Sequence, residues 1–112
     1  MINVYLDDMR RCPKGFVHAR TYEECVELLK ECKINVLSLD HDLGIGQPTG
    51  MDVVRYMVEH HLYASEIYLH TSSETGRKYM FQHLYTNKPN DVKVYNFPVP
   101  DEVLEQIGQS AG

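Results

Sequence analysis

Apolar positions in this chain fall into short runs separated by stretches with helical spacing. Residues 2–6, Ile-Asn-Val-Tyr-Leu, read as a strand ending in Asp7-Asp8. Residues 16–19 read as a short second strand. Residues 21–33 carry the clearest helical signal: Tyr22, Cys25, Val26, Leu29 and Cys32 recur on one face, and Thr21 with Glu24 makes a capping box. A third strand, 35–39, again ends in acids, Asp40-His41-Asp42, and a loop with Gly44, Gly46, Pro48 and Gly50 follows. Residues 51–61 form a helix with Val54, Met57, Val58 and His61 on one face. Residues 66–70 form a fourth strand, and 72–76 turn into a helix carrying Met80, Phe81, Leu84 and Tyr85. Residues 92–96 are the fifth strand, 101–107 a short closing helix, and 108–112 a frayed tail.

Strands alternating with helices predict an α/β fold with a mainly parallel sheet covered on both faces. The connection between the first two strands is short. Residues 9–15 fall below the dozen or so residues that a parallel crossover normally takes. Either this crossover is reduced to a turn or strand two runs the other way; the reduced crossover is the expectation adopted here.

With 112 residues the chain fits one domain. Acids outnumber bases 16 to 11, a net charge of −5, which argues against an extended nucleic-acid surface. No apolar run is long enough to span a bilayer, and no secretory leader is expected. Cys12, Cys25 and Cys32 are an odd set without a C-x-x-C pair, so reduced thiols and a cytoplasmic location are expected.

In open parallel sheets, ligands bind beyond the carboxyl ends of the strands. Asp7 and Asp8 follow strand one, Asp40, His41 and Asp42 strand three, and His70, Thr71, Ser72 and Ser73 strand four. Crowded carboxylates repel, and a hard divalent cation such as Mg²⁺ or Mn²⁺ relieves that cost. One reading is therefore a metal held by Asp7, Asp8, Asp40 and Asp42. The other is a set of helix caps and solvated loop acids, although capping needs only about one acid per helix start. His70 is placed to move a proton or to pack at a strand end. Gly76 and Arg77 open a helix, where free amides and a guanidinium attract phosphate, and Arg77 is otherwise a solvated side chain. Arg10 and Arg11 either hold a phosphate or pair with the acids. His41 either orients a carboxylate or points away.

An acidic pair after strand one, an Asp after strand three and a Thr after strand four resemble the receiver domains of response regulators, with Asp40 at the phosphoacceptor position. A receiver's strand-five lysine has no counterpart, since Tyr95-Asn96-Phe97-Pro98 stands there and Lys93 is inside the strand. The chain more closely resembles the cyclic-phosphate processing receiver domains. The likeness rests on Leu6-Asp7-Asp8-Met9-Arg10, Pro13-Lys14-Gly15, Ser38-Leu39-Asp40-His41-Asp42-Leu43-Gly44, Thr49-Gly50, His70-Thr71-Ser72, and Gly76-Arg77 ahead of Met80. The run from Ser38 to Gly44 is the specific part, and the likeness extends over about residues 2–107. It implies a flavodoxin/receiver-like three-layer sandwich with strand order 2-1-3-4-5.

For function it implies metal-dependent processing of a phosphate ester, with cyclic nucleotide phosphates as the candidate class and a small phosphorylated ligand or nucleotide as partner. Asp7, Asp8, Asp40 and Asp42 would hold the cation. Asp40, His70 and Arg77 would serve the reaction, with Asp40 as ligand or nucleophile. Thr71, Ser72, Gly76 and Arg10 would bind phosphate. Receiver-type phosphorylation of Asp40, or a non-catalytic nucleotide- or protein-binding module, remain as alternatives, and the oligomeric state stays open.

Overall fold

The computed structural model describes residues 1–111. Five strands, β1 (Ile2–Leu6), β2 (Val17–Ala19), β3 (Ile34–Leu39), β4 (Glu66–Leu69) and β5 (Lys93–Tyr95), form one sheet in the order β2-β1-β3-β4-β5. Every pairing is parallel, so strand two runs with its neighbours. The first crossover holds no helix and covers the distance as a loop, as its length predicted. Four helices complete the fold: α1 (Tyr22–Glu31), α2 (Gly50–His60), α3 (Glu74–Asn87) and α4 (Asp101–Ser110).

The two faces of the sheet are unequal. Alternate strand residues Val4, Leu6, Leu37, Leu39, Ile67 and Leu69 pack against α1, α2 and α3 through Cys25, Leu29, Val53, Met57, Met80 and Leu84. The opposite face carries a smaller cluster, Val36, Tyr68 and Val99, flanked by Phe16, Tyr95 and the half-buried Val103, Leu104 and Ile107 of α4. The loop between β1 and β2 lies on this second side. A Cβ at Gly15, whose φ is +89°, would come within 2.8 Å of Ile107.

Thr21 caps α1 by accepting from the Glu24 amide, while the Glu24 carboxylate reaches back to the Arg20 amide rather than to Thr21 itself. At the chain's end the structure corrects an expectation. Residues 108–110, expected to fray, instead continue α4 to Ser110, and Gly108 lies beside Lys14. Residue 112 of the expected tail lies outside the described residues. Cys12, Cys25 and Cys32 are all free thiols. Cys25 sits in the core, and burial pushes its thiol up to about 12. No helix among the described residues is long and apolar enough to cross a membrane.

Candidate functional site

Parallel strands bring their carboxyl ends to one edge, and the β1–β3 register places Leu6 opposite Leu39. Asp7 and Asp40, each the next residue, therefore emerge side by side. Asp7 is fully buried and Asp40 nearly so. With Asp8, Met9, Arg10, Asp42, Gly44, Ile45 and Ser72 they line an open pocket of about 440 Å³, a size that suits a small ligand.

Asp7 is held from four directions. Its Oδ1 accepts from the Met9 and Arg10 amides, both at 2.8 Å. Its Oδ2 accepts from Arg10 Nη1 at 2.9 Å and faces His70 Nε2 at 3.0 Å. Burial pushes this carboxyl up, but the hydrogen bonds to the Arg10 and Met9 amides, the Arg10 guanidinium and His70 outweigh it and bring it down to about 2. Asp40 differs. Its Oδ1 accepts from the His41 amide at 2.8 Å, and its Oδ2 lies 3.5 Å from Arg10 Nη1. Burial and then the Asp7 charge raise its carboxyl above the usual value, against the pull of the His41 amide, Thr71 and Arg10.

One guanidinium nitrogen thus bridges both carboxylates. Of the two roles open to Arg10, pairing with the acids is the one this arrangement displays. Asp8 lines the pocket beside them. Asp42 is exposed, with its Oδ1 accepting from the Gly44 amide at 3.0 Å. Ser72 is exposed at the pocket wall, and Thr71 is buried with its hydroxyl accepting from the Ser73 amide.

His70 sits behind Asp7 rather than in the open pocket. Its ring stacks on Tyr5, with centroids 4.3 Å apart and planes 4° from parallel, and its Nδ1 meets Ser38 Oγ at 2.6 Å. Asp7, Asp40 and His70 each offer a donor atom, and these atoms lie within 4.8 Å of one another. His18 adds a contact to the Asp7 carbonyl oxygen at 2.7 Å.

Two of the expected phosphate-side residues have other surroundings. The Gly76 amide already donates to Ser73 Oγ at 3.1 Å, and a Cβ at Gly76 would overlap the His41 ring. This glycine lets α3 close onto the loop after β3. Arg77 is half-buried on α3, does not line the pocket and makes no ion pair among the described residues. In the sequence Ser38 has no expected role beyond its place in the run to Gly44, and Tyr5 has none. Ser38 left a visible signal, a hydroxyl in an otherwise apolar stretch of β3.

A second surface cleft of about 400 Å³ lies between α1 and α2, lined by Tyr22, Pro48, Asp52, Arg55, Tyr56 and Glu59. Its Asp52 is already engaged, capping Thr49 and pairing with Arg55. The carboxyl edge, where two buried carboxylates and His70 converge, is the better candidate.

A search of curated proteins finds no match to this chain. The family of cyclic-phosphate processing receiver domains matches residues 2–86, from β1 through most of α3. That stretch includes every acid of the pocket, Arg10, Ser38 and His70, and covers more than half of the sequence. By this match the chain belongs to the cyclic-phosphate processing receiver domains.

Proposed function

We propose that this domain processes a phosphate ester at the acidic pocket with the help of a divalent cation, and that cyclic nucleotide phosphates are the substrate class to test first. The carrying observation is the meeting of Asp7 and Asp40 across one guanidinium nitrogen, 2.9 and 3.5 Å away. A positive charge already stands between two carboxylates, so the donor set fits a cation. Hard oxygen donors favour Mg²⁺ or Mn²⁺. Asp7 and Asp40 would hold the ion, with Asp8 and Asp42 also lining the pocket. When bound, such an ion polarises a phosphate oxygen and lowers the cost of its developing charge.

The chain's own groups supply the rest. Arg10, with its side chain half-exposed, can turn from the carboxylates to a phosphate oxygen, where a guanidinium forks well. Ser72 offers a hydroxyl from the pocket lining. His70, behind Asp7, braces that carboxylate through its Nε2 contact. Gly76 and Arg77 have no part in this reading.

Receiver-type phosphorylation of Asp40 is the weaker alternative, because β5 brings no lysine to the pocket. Lys93 pairs in register with Glu66, the first residue of β4, at the far end of the strands.

Incubation with 2′,3′-cyclic and 3′,5′-cyclic nucleotides plus Mg²⁺ or Mn²⁺ tests the reading. Turnover is expected to need the cation and to fall by at least about a hundredfold in Asp40→Asn, the scale of losing one main electrostatic group. Turnover that ignores both the cation and the substitution sinks it.

A further inference from the structure

Ser38 is the only polar residue of β3 besides Asn35, and it is 1% exposed. Leu37 and Leu39 on either side enter the large core, so the strand's alternation turns Ser38 to the opposite face. There the register sets it beside Tyr5 on β1 and Tyr68 on β4. His70, two residues beyond Tyr68, shares that face, and its ring lies over Ser38 with Nδ1 at 2.6 Å from Oγ. Tyr5 stacked on the ring fixes its plane.

With Asp7 ionised and the His70 ring neutral, the state its burial favours, the donor arithmetic of this hydrogen-bond chain leaves one arrangement. Asp7 ionised accepts only, so His70 Nε2 must carry the hydrogen that points at Asp7 Oδ2. Nδ1 of the neutral ring is then a lone pair, and it needs a donor. Ser38 is that donor, and no buried side-chain polar atom among the described residues is left unpaired. A hydroxyl can also accept. With the ring's hydrogen on Nδ1 instead, Ser38 would still satisfy it, but Nε2 would set a lone pair against the Asp7 carboxylate.

The geometry points to Ser38 as a positioning residue of this site: its hydroxyl holds the His70 ring from Nδ1, so that the Nε2–H is aimed at Asp7 Oδ2 and helps to fix that carboxylate. The role of Ser38 in aiming Asp7 rests on contacts alone. Its expected effect on ion affinity rests in addition on the proposed cation-dependent function.

The test uses the ion-free protein with ¹⁵N-labelled histidine at pH 8, and Mn²⁺ as probe in a separate titration. Nitrogen-to-carbon-proton correlation spectra are expected to show His70 with hydrogen on Nε2 and a hydrogen-bonded lone pair on Nδ1. In Ser38→Ala the Nδ1 resonance should move toward that of an unbonded nitrogen, and Mn²⁺ should bind about fivefold more weakly, the worth of one neutral hydrogen bond. Ser38→Thr keeps the hydroxyl and should restore both. A purely structural role would lower the melting temperature of Ser38→Ala without moving Mn²⁺ affinity, and that pattern overturns the inference. So does an Nδ1 resonance that is the same with and without the hydroxyl. If no variant binds Mn²⁺ while the Nδ1 resonance still shifts, the cation reading fails and the positioning by Ser38 stands.

Discussion

At Asp7 burial raises the cost of the charge, and the hydrogen bonds converging on its two oxygens more than offset it. At Asp40 the same burial is less well offset, and the neighbouring Asp7 charge adds to it. The two carboxylates should therefore respond oppositely to removal of their charge. Asp7→Asn is expected to destabilise the cation-free protein at pH 7 by about 2 kcal/mol, the linkage value of a carboxyl brought from 3.8 to about 2. The sign follows from a lowered value. The stabilisation is complete above pH 3.8 and is lost as the pH falls toward about 2. Asp40→Asn should instead raise the melting temperature at pH 7, because a carboxyl raised in the folded state favours folding only while it is protonated. Calorimetry of both variants without divalent cation checks the pair; a lower melting temperature for Asp40→Asn contradicts the strain assigned to it. Arg10 is a competitor for the same oxygens. In Arg10→Gln, Mn²⁺ affinity should rise several-fold while inorganic phosphate affinity falls, since the carboxylates lose their internal cation and the phosphate its guanidinium. Parallel titrations with each ion read this out, and a drop in both affinities would make Arg10 a scaffold rather than a competitor.

Elements hold these side chains in place through close backbone approach. α2 begins at Gly50, where the amide donates to the His41 carbonyl at 2.7 Å and a Cβ would overlap the Asp40 carbonyl oxygen. Gly50→Ala must push α2 off the end of β3. It is expected to cost about 1–3 kcal/mol, the usual range for an overpacked core, and to disturb Asp40 as well. Denaturant unfolding measures the loss, and a stability equal to the parent's would show that α2 can shift freely. The elements themselves were legible in the sequence because short apolar runs mark strands covered on both faces and helical spacing marks a buried helix stripe. Ile2–Leu6 and the stripe of Tyr22, Cys25 and Leu29 behave as their patterns say. What periodicity does not encode is which neighbour a short side chain meets. Gly76 reads as a helix-start glycine open to an anion, but Ser73 takes its amide and His41 fills the space before it. His70 reads as a strand-end residue at the active edge, and it stands there, yet its ring is turned inward between Ser38 and Asp7. The gathering of Asp7 and Asp40 was visible because strand ends in a parallel sheet are forced to one edge. The bridging arginine was visible only as a choice between two partners, because rotamers depend on contacts far apart in sequence.

On the scale of the whole molecule, the missing first helix has a mechanical consequence. In a three-layer sandwich each face of the sheet needs cover. Here one face has three helices, and the other has α4 and the loop that carries Asp7, Asp8 and Arg10. That loop is braced from outside by α4: Gly15 lies against Ile107, and Gly108 against Lys14. The family match ends at residue 86, so α4 belongs to the part of the chain beyond the matched stretch while touching a segment within it. The short crossover was legible from residue count alone. Its dependence on α4 was not, since nothing in the pattern of residues 9–15 shows which helix lies over it. Ile107→Ala removes part of that brace. Because Ile107 is only half-buried, the global cost should fall at or below the bottom of the range for core truncations, about 1–2 kcal/mol. The local effect should be larger in kind, since the Met9 and Arg10 amides that hold Asp7 Oδ1 lie in the braced segment. Hydrogen exchange at these two amides is expected to speed up by more than the global destabilisation accounts for, while amides in β3 and β4 follow the global change. Exchange at Met9 and Arg10 that rises only in step with β3 would show the loop to be held by the pocket alone, with α4 contributing cover but no support to the site.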